Sequence, residues 1–388
     1  MTAIGGVMAL GALHPTTLRC EYKVNPLGID VAAPRLSWTL ESKRRGQMQA
    51  AYQVLVASSP ETLREDRGDL WDSGKVPSDR SVQIVYAGPP LTSRQRAWWK
   101  VRVWDPQNHP SAYSAPAWWE MGLLRPADWQ AQWIGFQTAP DTSESGPAPF
   151  LRQTFTTAKG VRQARLYASA RGLYSAFLNG RRVGQDIFTP GWTDYHKRIP
   201  YQTYDVTDLI KTGQNAIGVI LGDGWYCGNV GWTGRNHYGP MPRALIQLEI
   251  TYEDGTTQRL VSDGSWKAAA GPILASDLLM GETYDARKEM PGWDKPRFDA
   301  TGWSAVDALP RGSQDDFPGD VPLVAQYAPT VQQVEEIHPK SIAEHPNGAY
   351  VFDLGQNMVG WARLRVKGLV GTTVTLRFAE MLNPDGSI

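Results

Sequence analysis

The sequence predicts an all-β chain of tandem sandwiches, and three observations carry that prediction. Apolar residues recur with a period of two, as in Trp99, Val101 and Val103, which is the signature of a strand with one buried face. Clusters of Pro, Gly, Asn and Asp punctuate these runs at roughly the 8–12-residue spacing of sandwich turns. The 388 residues include 16 Trp and 15 Tyr beside 38 Gly and 28 Pro. That combination of rings and turns suits β-sandwiches and carbohydrate surfaces, because an indole face stacks on sugar C–H groups while its N–H donates.

The first unit is expected over residues 16–122. Leu36–Leu40, Tyr52–Ala57 and Trp99–Asp105 read as strands, the last with one wet face of charged residues. Glu61–Arg67 reads as a short helix stopped by Gly68. The length, about 100 residues, is that of a fibronectin-III or immunoglobulin sandwich. Ala139–Pro149 has no large apolar residue and reads as a linker or exposed loop.

The second unit, residues 123–320, reads as a galactose-binding-like jelly roll. Its strands are Ala164–Ala168, Tyr174–Leu178, Asn215–Leu221, Ala244–Tyr252 and Thr257–Val261. Asn179-Gly180 is a two-residue hairpin signal, since both residues tolerate positive φ. A third β unit is expected from 321 to 388, with strands at Val351–Gly355, Ala362–Val366 and Thr373–Phe378. The stop soon after the Asn383–Gly386 turn is expected to leave a sheet edge unpaired, as in a truncated domain.

Lys+Arg and Asp+Glu both number 39, so net charge offers no case for nucleic acid or a membrane surface. Lys43-Arg44-Arg45 reads as a solvated turn. Residues 1–15 read as a flexible N-terminus, a degenerate signal peptide being the alternative for Met1–Ala12. The expected location is cytoplasmic, with periplasmic or secreted as alternatives. Cys20 and Cys227 are too few for a disulfide scaffold, although one bridge stays open. The histidines at 14, 109, 196, 237, 338 and 345 have no metal-ligand spacing, and no nucleotide fingerprint occurs. No cofactor and no metal are expected.

Several blocks in order carry a family resemblance. LRCEYKVNPLGIDVAAPRLSW at Leu18–Trp38 resembles the opening of the bacterial α-L-rhamnosidases, glycoside hydrolase family 78. LRQTF (Leu151–Phe155), ARLYASARGLYSAFLNGRRVG (Ala164–Gly184), TPGWTDYHKRIPYQTYDVTDLI (Thr189–Ile210), ILGDGWYCGNVGW (Ile220–Trp232) and GETYDARKEMPGWD (Gly281–Asp294) resemble that family's accessory jelly roll. FDLGQNMVGWARLRVKG (Phe352–Gly368) resembles its concanavalin-like domain.

The resemblance implies a parent that cleaves terminal α-L-rhamnose from L-rhamnose-containing glycosides by inversion, in an (α/α)6 barrel downstream in the same polypeptide. Such hydrolysis needs two carboxylates flanking one bond. Glu335-Glu336 and Asp315-Asp316 read instead as solvated charge, so the chain alone is expected to be inactive, with no catalytic residue. The alternatives are a free-standing carbohydrate-binding protein and a structural remnant of a truncated gene.

The candidate sugar-binding residues combine rings with hydrogen-bonding groups. One cluster is Trp192, Asp194 and Tyr195. A second is Asp223, Trp225, Tyr226, Asn229, Trp232, Arg235 and His237, on a stretch with six glycines between Gly222 and Gly239, read as a loop. For both, packing against the next domain is the competing role. Glu282, Asp285 and Arg287 form a third cluster. There an Asp285–Arg287 pair along an extended stretch competes with contact to substrate or barrel. The turn Ala168–Gly172 lacks the Asp-Asn pair of the calcium-assisted rhamnose module that some relatives carry, so no calcium site of that kind is expected.

Overall fold

The computed structural model describes residues 13–138, 141, 143–313, 321–345, 348–384 and 386–388. The readings of Met1–Ala12 and of Asp315-Asp316, and Asp385 of the terminal turn, lie outside them. The chain divides into two compact units, Met1–Val331 and Gln332–Ile388.

The first sandwich packs the sheet His14–Cys20, Arg35–Glu41 and Ile84–Val85 against a second sheet. That second sheet runs Trp71–Asp72, Ala51–Ala57, Arg96–Trp104 and Ala117–Glu120. Trp38, Val54, Val56, Trp99, Val101, Val103 and Trp119 fill the space between. The alternation of Trp99–Asp105 does bury its odd positions, but the opposite face is not simply wet. The helix Pro60–Arg64 covers it, and Leu55, Ala57 and Leu63 form a satellite core there with Trp98 and Tyr113. Lys100 is consequently buried, its ammonium donating to the Leu63 carbonyl at 2.6 Å and paired with Asp66. The helix starts at Ser59, which accepts from Thr62 N–H, and is shorter than expected because Asp66 turns the chain at φ +56°.

The jelly roll pairs two sheets. One has the order Arg181–Arg182, Leu173–Leu178, Gly213–Gly222, Pro149–Thr157, Lys267–Ala270, Ser304–Ala305. The other runs Asp307–Leu309, Trp133–Gly135, Arg243–Tyr252, Val161–Arg171, Ile199–Asp205, Leu323–Ala325, with Thr257–Val261 on Arg243–Tyr252. Leu166, Ala168, Ile217, Val219, Ile246, Leu248 and Trp266 form the core between them. Asn179 and Gly180 close the expected hairpin, both at positive φ. The presumed linker ends inside the fold, since Ala148 is buried and the strand Pro149–Thr157 begins within it.

The second jelly-roll sheet is buried on both sides, which explains its long polar residues. On its outer face Gln247 donates to the Asp128 carbonyl at 2.8 Å. Arg165 donates to Glu120 of the first sandwich at 2.7 Å, and Glu249 takes the Arg94 guanidinium at 2.7 Å. Leu123 N–H donates to the Tyr201 hydroxyl at 3.0 Å, and Ala325 N–H to Asp30 at 2.7 Å. The two sandwiches thus share a hydrogen-bonded seam.

Gly28 sits in that seam at φ +69°, and a Cβ there would lie 2.0 Å from the Thr203 hydroxyl. Gly28→Ala is expected to destabilise by about 2–3 kcal/mol through backbone strain plus this clash. Gly46→Ala, at φ +71° with open space around the Cβ, suffers the strain alone. The difference in their thermal midpoints reads the seam.

The third unit begins later than residue 321. Leu323–Ala325 pairs in parallel with Ile199–Tyr201, and Ile199 N–H donates to the Pro322 carbonyl at 2.9 Å. This edge ladder holds the segment to the jelly roll. In Gln332–Ile388 the strands Ser341–Glu344 and Tyr350–Asp353 form a hairpin. The expected strands Ala362–Val366 and Thr373–Phe378 do not form: neither finds a ladder partner, and both segments are exposed. Glu336 pairs with Arg363 at 2.9 Å.

Candidate functional site

The glycine-rich stretch after Gly222 is a loop interrupted by one helical turn, Gly224–Cys227. Tyr226 and Cys227 enter a core with Trp129, Trp133, Tyr167, Tyr195 and Tyr201. Tyr195 is fully buried, edge-on to Tyr226 with centroids 5.3 Å apart. The structure therefore takes Tyr195 and Tyr226 out of a ligand's reach and assigns them to packing. Cys20 and Cys227 are both free and buried, so no bridge joins them, and burial pushes both thiols well up.

The loop's polar residues serve one another. Arg235 donates to Asp223 at 2.8 Å and to Asp277 at 3.1 Å. Asp277, at the end of the strand Ile273–Asp277, accepts from Asn229 N–H at 2.8 Å and its amide at 2.9 Å. Its other oxygen accepts from Leu279 and Met280 N–H. Burial alone would push the Asp277 carboxyl up. The backbone donors and the Asn229 amide outweigh it and hold the carboxyl below its ordinary value. Ser145 donates to Asp223 at 2.7 Å and accepts from Ser276 N–H at 2.9 Å, which ties the presumed linker to the same knot.

Asp223 and Asn229 are thus committed to an internal network. Asp223 and Asp277 share one guanidinium and leave no room for a glycosidic bond with water between them, as an inverting pair requires. Asp285 and Arg287 also pair, at 2.7 Å, across the one-turn helix Ala286–Lys288 that Asp285 caps rather than along an extended strand. The Arg287 guanidinium brings the Asp285 carboxyl down to about 2. Glu282 is exposed on the strand Gly281–Tyr284. Among the described residues no group of three or more His, Cys, Asp or Glu side chains could hold a metal ion.

The rings that face solvent are Trp192, Trp225 and Trp232. Trp232 is fully exposed on a turn closed by Thr233 N–H to the Val230 carbonyl. Trp192 is 63% exposed and lies nearly parallel to half-buried Trp225, at 14° with centroids 6.3 Å apart. Phe188 meets Trp225 edge-on. Asp194 is a rim residue whose carboxylate takes Lys197 at 3.2 Å and His196 N–H at 3.1 Å. Sequence reasoning missed Ser145, Phe188 and Asp277. None stands in an unusual local pattern, and only the fold brings them to these loops.

Three family models match the chain in order. A Rha78A-like N-terminal immunoglobulin domain covers residues 15–125, an alpha-L-rhamnosidase N-terminal domain 159–335, and a bacterial alpha-L-rhamnosidase concanavalin-like domain 343–388. An alpha-L-rhamnosidase of Streptomyces avermitilis is 36% identical over 98% of this chain and 52% of its own length. One from Formosa agariphila is 42% identical over 94% of the chain and 39% of its own length. The crystal structure of the Streptomyces avermitilis enzyme complexed with L-rhamnose matches 97% of the chain with a TM-score of 0.88. The chain therefore spans about half the length, or less, of these relatives.

Proposed function

Because the chain belongs to the bacterial α-L-rhamnosidase family through its N-terminal domains, we propose that it is the non-catalytic part of such an enzyme. In this reading the parent hydrolyses terminal α-L-rhamnose from glycosides with inversion, in an (α/α)6 barrel further along the polypeptide. The sandwiches support that barrel and shape the entrance to its site. The observation that carries the reading is the ordered match of three family domains across residues 15–388. The burial of Asp223 and Asp277 in internal pairs supports it, because neither carboxylate is placed to act on a sugar.

The support role is tested by removing residues 13–331 from the polypeptide that carries the barrel. The expected outcome is a lower melting temperature and a raised KM, with the anomer released, read by NMR, still inverted. Unchanged melting temperature and KM would refute the support role.

A further inference from the structure

Exposed aromatic rings are costly to hold rigid in water, so a rigid one points to an occupant. We infer that Trp192 and Trp225 form a stacking platform for a pyranose ring, an accessory sugar site on the jelly roll away from any hydrolytic centre. The inference rests on the α-L-rhamnosidase reading only in the choice of a rhamnoside as probe.

Both rings stand on pinned backbone. Thr189 exchanges hydrogen bonds with Tyr174, its hydroxyl donating at 2.8 Å and its carbonyl accepting at 2.9 Å. Gln202 donates to the Pro190 carbonyl at 3.1 Å, and buried Tyr195 to the Gly191 carbonyl at 3.1 Å. Trp192 is thus presented by a segment clamped on both sides. Trp225 is held by its neighbours Tyr226 and Cys227, both in the core. A pre-ordered platform loses little conformational entropy on binding.

The platform's size and chemistry select the occupant. At about 150–250 Å² of buriable surface per ring, three partly covered rings offer a few hundred Å². A stable protein interface buries about 800 Å² a side, so the platform suits one or two sugar rings better than a protein. Among the described residues nothing accepts from the Trp192 indole N–H, which is free to meet a hydroxyl. Asp194, His196 and Lys197, two to five residues on, add an acceptor and donors at the surface. L-rhamnose, a 6-deoxy sugar, carries a methyl group that enlarges its apolar surface and favours such stacking.

The test titrates the 388-residue chain with methyl α-L-rhamnopyranoside, following tryptophan fluorescence and saturation-transfer NMR. Saturable binding in the millimolar range is expected, weakened about tenfold or more by Trp192→Ala and largely kept by Trp192→Phe. Trp232→Ala, which removes an exposed ring outside the platform, leaves it unchanged. No saturable signal, or equal weakening by Trp192→Ala and Trp232→Ala, would overturn the platform whatever the longer polypeptide hydrolyses. Saturable binding of methyl β-D-galactopyranoside instead, lost in Trp192→Ala, keeps the platform and counts against the rhamnosidase reading.

Discussion

Replacing Glu120 by alanine lowers the unfolding free energy by about 3 kcal/mol or more, the scale on which breaking a buried ion pair destabilises a protein. Glu120 is 2% exposed and lies between two guanidinium groups, Arg96 at 2.7 Å and Arg165 at 2.7 Å. Arg165 is itself only 6% exposed, so the loss leaves a buried cation with Asp205 at 2.9 Å as its remaining partner. Because Arg96 belongs to the first sandwich and Arg165 to the jelly roll, the damage falls on the seam. Urea unfolding followed by tryptophan fluorescence is expected to show one transition at a lower midpoint. Glu120→Met combined with Arg165→Met removes both charges and recovers much of the loss, since a well-packed apolar pair avoids the desolvation penalty.

Arg235→Ala has an effect of similar size in a different place. It leaves Asp223 and Asp277, both largely buried, without the cation they share. A loss of about 3–5 kcal/mol follows from two uncompensated carboxylates. Arg235→Lys recovers little, because a single ammonium cannot reproduce the planar fork that reaches both acids. The pH dependence identifies the cause. The folded Asp277 carboxyl lies below its ordinary value of 3.8, so its contribution is present above that value and fades as the pH falls through the folded value. In Arg235→Ala, protonation below about pH 4 relieves the repulsion, so the gap between the two proteins narrows in acid. Thermal midpoints measured between neutral pH and acid follow that narrowing.

Local patterns show through the sequence wherever the structure is local. The Asn179-Gly180 hairpin, the alternation of Ala244–Tyr252 and the order of the domains all follow from turn chemistry and period two. Alternation reports that one face of a strand is buried, but not what covers the other. Lys100 and Gln247 therefore read as solvent-facing, yet a helix covers one and the Asp128 segment the other.

The candidate site divides along the same line. The exposed rings Trp192 and Trp232 are legible as aromatic loop residues. Asp223 reads as a ligand only until Arg235, Asp277 and Ser145 are brought to it, Ser145 from 78 residues away. The edge strand Leu323–Ala325 is hidden for a related reason, since its partner Ile199–Tyr201 lies far back in the chain.

The central claim is that these sandwiches carry no hydrolytic centre. The most direct measurement is release of p-nitrophenol from p-nitrophenyl α-L-rhamnoside by the purified 388-residue chain. The expected result is no release above the spontaneous rate, with activity appearing once the chain is extended to include the barrel. Turnover by the chain alone that survives re-purification would contradict the claim and place a working pair of carboxylates within the β-sandwiches.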